Sequence, residues 1–140
     1  MFNEQNKKES PILGLIGMGG GIARAGGAAA FIDAPSITSP SASATVDING
    51  FQITSSTATG ADFGTHTESD WQIAEDSNFS TIYQQSLADT SNLTSFTTTT
   101  EFDGSKTLYL RVRYRSDTGV ESDYSNTIQV SAVQMYFWRI

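Results

Sequence analysis

Residues 106–132, KTLYLRVRYRSDTGVESDYSNTIQVSA, decide the fold. Leu108, Leu110, Val112 and Tyr114 alternate with Tyr109, Arg111, Arg113 and Arg115. A two-residue period built from β-branched and aromatic side chains marks a strand with one buried face. Ser116-Asp117-Thr118-Gly119 supplies turn residues, and Asn126 to Val130 reads as a second, shorter strand. A long strand, a polar connection and a returning strand make an antiparallel pair, and its apolar face has to be covered by other strands.

Those strands lie upstream. Asp103-Gly104 is a turn into residue 106, and Leu93, Phe96 and Phe102 mark a β segment through the threonine tract 97–100. Asp70-Trp71-Gln72-Ile73-Ala74 alternates again, with Trp71 and Ile73 on one face and therefore expected in the core. Glu75 to Asn78 reads as a turn, after which Phe79, Ile82 and Tyr83 open a further strand. Residues 60–69 read as an exposed polar loop. Val46 and Ile48 lead to Asn49-Gly50, a tight-turn signal, and Phe51 and Ile53 follow. Pro35 and Pro40, set among serines, read as a linker passing into an edge strand, where proline is tolerated. Roughly seven short strands with turn signals every ~8–12 residues form the pattern of an all-β, immunoglobulin-like sandwich.

The 140 residues suffice for one ordinary domain and an appendage. The formal charge is −7. Residues 1–34 hold three basic and three acidic side chains, so the whole excess lies in residues 35–140, with five basic and 12 acidic. An acidic domain repels nucleic acid and anionic membrane, so direct contact with either is not expected. The chain has no cysteine, which excludes disulfides, thiolate metal sites and a cysteine nucleophile. No apolar run reaches the ~18–20 residues that span a bilayer.

Residues 1–34 carry seven of the 12 glycines, interleaved with Ile12, Leu13, Leu15, Ile16, Met18 and Ile22. So many glycines disfavour a free-standing helix or strand, and the segment cannot build its own core. A secretory signal is one reading, with Lys7 and Lys8, an apolar stretch and Ala28-Ala29-Ala30 as a cleavage site. Glu9, Pro11, the glycines and Arg24 count against it. An arm folded back on its own domain is another. The reading adopted is an arm that orders against a partner through those six apolar side chains. Met135, Tyr136, Phe137 and Trp138 form a second apolar cluster in the 133–140 tail, expected either to pack across the domain or to meet a partner. The organisation is thus an arm over 1–34, a sandwich over 35–132 and an aromatic tail over 133–140.

Chemistry-bearing residues are sparse. His66 is the only histidine, with Asp62, Glu68 and Asp70 nearby in sequence. A metal centre needs three or four converging ligands, and a solvated loop is the simpler reading. A serine or threonine nucleophile needs a base and an orienting acid that this sequence does not offer. Gly17 to Gly21 lacks the lysine and preceding strand of a phosphate-binding loop. No catalytic residue, cofactor or metal is assigned, and an enzyme is not expected. Arg111, Arg113 and Arg115 offer either a patch for an acidic partner or cross-strand pairs with the domain's own carboxylates, the second being preferred.

DWQIAEDSNFSTIYQQ (70–85) and the 106–130 stretch resemble the fibronectin type III superfamily. Gly119, Ser122 and Ser125 supply its G-x-x-S-x-x-S-like segment, and the likeness covers about residues 35–132. The resemblance implies a tyrosine at position 108 whose hydroxyl ties a corner of the sandwich, whereas here the tyrosine is Tyr109, facing the other way. Trp71-Gln72-Ile73-Ala74 followed by Asp76 looks like the subtype found in bacteriophage virion proteins, and the arm is similar in style to amino-terminal arms of phage structural proteins. What this implies is a capsid decoration, fibre or tail component on the virion surface. Its partners would be neighbouring virion subunits and copies of itself, a homotrimer being one form. The rival expectation is a carbohydrate- or receptor-binding adhesion module, for which Phe63 and Tyr124 are the available loop aromatics.

Overall fold

A computed structural model describes residues 29–99 and 105–134, and no helix occurs among them. The strands are β1 (Phe31–Ile32), β2 (Ile37–Ser39), β3 (Thr45–Asp47), β4 (Gln52–Ser55), β5 (Gly60–Ala61), β6 (His66–Ala74), β7 (Ile82–Asp89), β8 (Ser95–Thr97), β9 (Lys106–Ser116) and β10 (Ile128–Val133). One sheet has the order β3-β10-β9-β6-β7, the second β2-β4-β8, and β1 pairs with β5 as a separate two-stranded piece. Every pair is antiparallel except β3 with β10.

The alternation of β9 is realised as read. Leu108, Leu110, Val112 and Tyr114 are each at most 1% exposed and face the second sheet, and Tyr109, Arg111, Arg113 and Arg115 lie on the outer face. Trp71 and Ile73 join them at 0%. Ile53 of β4 and Phe96 of β8 close the core from the other side, the Phe96 ring stacking on Trp71 at 5.8 Å. The two sheets are also tied by a hydroxyl. The Tyr114 phenol donates to the Ser56 carbonyl at the end of β4 and shares a hydrogen bond with Ser55 Oγ. Tyr109 faces outward, so the tie is made by the strand's last tyrosine and at the far end of β9 from residue 108.

Several local expectations are corrected. Asn49-Gly50 does make a turn, with Gly50 N–H donating to the Asp47 carbonyl, but β3 and β4 do not pair with each other. The turn carries the chain from one sheet to the other, because Val46 and Ile53 are both needed in the core but on opposite walls. Residues 60–69 are not loop throughout: β5 takes residues 60–61 and β6 starts at His66. Phe79 belongs to a turn instead of opening β7, which begins at Ile82. The returning strand is Ile128–Val133. Phe102 falls outside the described residues. β1 begins at Phe31, and Ile32 is 5% exposed within the core, so the packed unit extends upstream of residue 35. It does so through Gly60, since a Cβ there would sit 2.1 Å from the Phe31 carbonyl oxygen.

The segment between β9 and β10 explains the serine spacing. Tyr114 N–H donates to Ser122 Oγ while Ser122 N–H donates back to the Tyr114 carbonyl, both at 2.9 Å. Val112 N–H donates to Ser125 Oγ at 3.1 Å, and Ser125 N–H returns to the Val112 carbonyl at 2.8 Å. Three residues of the loop thus match two of β9, a bulge-like arrangement in which each hydroxyl stands in for a missing ladder carbonyl. Both serines are about 95% buried. Ser122→Ala and Ser125→Ala should each lower the free energy of unfolding in urea by about 1–3 kcal/mol, because a buried N–H loses its acceptor. A loss below ~0.5 kcal/mol in both would mean the hydroxyls are dispensable.

Candidate functional site

The outer face of β6 and β9 is where polar side chains gather. The strand register sets Glu68 opposite Arg115, Asp70 opposite Arg113 and Gln72 opposite Arg111. Asp70 is 0% exposed although its face points away from the core. It accepts from Arg113 Nε at 2.8 Å, from Arg115 through both terminal nitrogens, and from the Ala88 backbone N–H at 2.7 Å. Burial alone would raise its pKa; the Ala88 and Arg113 hydrogen bonds and the two positive charges overcome this and hold it below the ordinary carboxylate range. Arg115 also reaches Glu121 at 2.8 Å and Glu68 at 3.2 Å. The preferred reading of Arg113 and Arg115, pairing with the domain's own acids, is what the geometry has.

Arg111 sits differently. Its Nε donates to Gln72 Oε1 at 2.8 Å, and its guanidinium carbon lies 4.1 Å from the Phe79 ring and 3.9 Å from the Tyr124 ring. Both rings come from loops. Tyr124 lies between Ser122 and Ser125, and the extra residue of that bulge places its ring over Arg111 and, at 4.6 Å, Arg113. Phe79 lies in the β6–β7 turn with a φ of 57°, a left-handed conformation uncommon for a bulky residue. Asp76 holds that turn by accepting from the N–H groups of Asn78, Ser80 and Thr81 and from Ser80 Oγ. These hydrogen bonds lower the Asp76 pKa, Ser80 contributing most.

The other residues singled out by sequence are placed as follows. Trp71 is fully buried, with Nε1 donating to the Asn92 carbonyl at 2.7 Å. His66 stacks on Tyr114 at 4.0 Å and its Nε2 meets Ser69 Oγ at 2.9 Å; burial pushes its pKa down. His66 and Asp70 therefore belong to opposite faces of β6, His66 beside the inward-facing Tyr114 and Asp70 beside the outward-facing arginines. Among the described residues no three His, Asp or Glu side chains are grouped to hold a metal ion. Phe63 is half-buried and packs against the core, so neither it nor Tyr124 is a free aromatic platform. The arm residues Ile12, Leu13, Leu15, Ile16, Met18 and Ile22 and the tail residues Met135, Tyr136, Phe137 and Trp138 lie outside the described residues. Sequence reading did not find Asp70 as the organising acid or Phe79 as a ring over Arg111. The available signal was the register that sets Asp70 against Arg113, which needs β6 and β9 to be known as neighbours.

No family model matches the chain, and no curated protein does. Among solved structures it is similar to the fibronectin(III)-like modules of Clostridium thermocellum CbhA, with a TM-score of 0.53 and 13% sequence identity. The match covers 85% of this chain and 55% of that one, so the chain spans a little over half the length of that neighbour. At this identity the likeness concerns the fold. The two facing sheets agree with it. The chain folds as a fibronectin type III-like β-sandwich.

Proposed function

We propose that the protein is a non-enzymatic structural component of a bacteriophage virion, a capsid decoration, fibre or tail protein. Its glycine-rich arm attaches it to neighbouring subunits, and its acidic sandwich is the displayed module. The observation that carries this reading is the placement of the two ends of the sandwich. β1 lies at the pole where Tyr114 meets Ser56 and where Thr118 Oγ1 donates to the Phe63 carbonyl. β10 ends at the opposite pole, where Ala132 faces Lys106 and Ile48 N–H donates to the Val133 carbonyl. Residues 106 and 114 are about 27 Å apart at ~3.4 Å per residue. The chain that carries the apolar residues 12–22 therefore enters the described sandwich at one pole, and the chain that leads to residues 135–138 leaves it at the other. Such a unit can hold one neighbour at each end. The sequence likeness of residues 71–76 to phage virion domains supplies the setting.

The adhesion reading ranks behind it. A sugar-stacking site needs open aromatic rings; Trp71, Phe63 and Tyr124 are all engaged within the domain, and among the described residues Phe31, 45% exposed, is left as the exposed ring.

Deleting residues 1–28 tests the proposal. The cut spares Ile32 and the Asp33 N–H to Thr59 carbonyl bond, which a cut after residue 34 would remove. The shortened protein should keep its thermal midpoint within about 4 °C, less than ~1 kcal/mol moves a domain of this size. It should be missing from particles assembled in its presence while the full chain is incorporated. Normal incorporation of the shortened protein would refute the anchoring role.

A further inference from the structure

Four cations lie among the described residues, and three are ion-paired: Lys106 with Glu75, and Arg113 and Arg115 with Asp70, Glu121 and Glu68. Arg111 has no carboxylate partner among the described residues, although carboxylates outnumber cations there by 11 to four. Its guanidinium is nevertheless held firmly. Gln72 fixes Nε, and the rings of Phe79 and Tyr124 pack against it at 4.1 and 3.9 Å. One of those rings is delivered by a residue at φ 57°, a conformation that costs energy and is maintained by the Asp76 hydrogen bonds.

Arginine has five N–H donors in a planar fork. Gln72 takes the one on Nε, and no acceptor among the described residues takes those on Nη1 and Nη2. A guanidinium already immobilised, with rings excluding water from part of its surface, loses little further entropy on binding and interacts more strongly than a free one. The ligand that matches two parallel N–H groups is a carboxylate or another planar oxyanion. On this face Arg111, Arg113 and Arg115 balance Glu68, Asp70 and Glu121, while the chain as a whole carries −7, so an extended polyanion is repelled more strongly than a single carboxylate.

We infer that the outer face of β6 and β9 docks a partner protein through an aspartate or glutamate side chain gripped by Arg111. This surface is the outer face of the sheet, with Phe79 reaching it from the β6–β7 turn, and does not depend on the virion reading.

The test is a titration of the full, 15N-labelled chain followed by NMR. The probes are a blocked glycyl-glutamyl-glycine tripeptide, its glutaminyl counterpart and inorganic phosphate. The glutamyl peptide should shift the Arg111 Nε–H signal and the amides of Gln72, Phe79 and Tyr124, saturating with a dissociation constant on the order of 1 mM. The glutaminyl peptide should leave them in place. Arg111→Met keeps an unbranched stem against the rings and should abolish the shifts. Arg111→Lys keeps the charge without the fork and should weaken binding several-fold; it carries the test if the methionine variant does not give a folded spectrum. Absence of saturating shifts in the unaltered protein overturns the inference, as does their survival in either variant at full strength. Phosphate producing the same shifts at lower concentration than the peptide would also overturn it, by making this a general oxyanion site.

Discussion

Asp70→Ala should lower the free energy of unfolding by about 3–5 kcal/mol at neutral pH, a large share of the ~5–15 kcal/mol that holds a domain together. Asp70 is 0% exposed and serves three groups at once: Arg113, Arg115 and the Ala88 N–H that ends β7. Removing the carboxylate leaves Arg113 and Arg115 with only the more exposed Glu121 and Glu68 as partners and leaves a backbone donor unmet. The arginine side chains are 29% and 27% exposed and can turn partly to water, which favours the lower end of the range. The same carboxylate gives the acid limb of stability its sign. Its pKa is lower folded than unfolded, so its contribution is complete above the unfolded value near ~4 and is lost as pH falls through the folded value. Asp89 adds to this limb: burial would raise its pKa, but bonds from Asn92, Ser86 and Ser91 bring it to about 2. Unfolding monitored by circular dichroism in urea should therefore show stability falling between about pH 4 and pH 2. Asp70→Asn should be less stable at pH 7 and show a shallower fall. A neutral-pH loss under ~1 kcal/mol for Asp70→Ala would mean that the outer-face network is of no more consequence than an ordinary exposed ion pair.

Trp71→Ala should cost about 3–5 kcal/mol by urea denaturation. The indole is fully buried, stacks on Phe96 of the opposite sheet and donates to the Asn92 carbonyl in the β7–β8 connection. Its loss opens a cavity between the sheets and also frees the carbonyl that keeps that connection against β6. Trp71→Phe separates the two effects: the ring contact is largely kept, and the unmet carbonyl should account for about 1–2 kcal/mol. A double-mutant cycle with Phe96→Ala should return a coupling of ~0.5–1.5 kcal/mol, the worth of an aromatic pair beyond its buried area. Additive losses would mean that the rings are neighbours without being coupled.

These variants act on the sandwich alone, whereas deletion of residues 1–28 and substitution of Arg111 address attachment and docking. The separation follows from the fold. The core is built by alternate residues of β6, β9 and β10 against β4 and β8, while Arg111 stands on the far side of its sheet. Chemistry on the outer face can change without loss of the core so long as Asp70 keeps its partners.

By itself the sequence determined what depends on neighbours within a strand. The alternation through residues 108–115 settled which side of β9 is buried, and that of residues 71–73 settled the same for β6, because a strand's period of two is a local property. Gly119, Ser122 and Ser125 were legible as a spaced motif, although their hydroxyl bonds to Val112 and Tyr114 were not. The apolar character of residues 12–22 and 135–138 is likewise plain from composition. Only the tertiary structure decided the remainder. Asp70 reads as one more acid near His66; it became the centre of the outer face when β9 aligned beside β6 and brought Arg113 and Arg115 from over 40 residues away. The Asn49-Gly50 turn could have closed a hairpin; the demand for apolar side chains on both walls sent it across to the other sheet instead. Ile32 reads as part of a glycine-rich arm and is core because Gly60 admits β1 at close range. In each case the deciding energy comes from contacts distant in sequence, which local patterning does not encode.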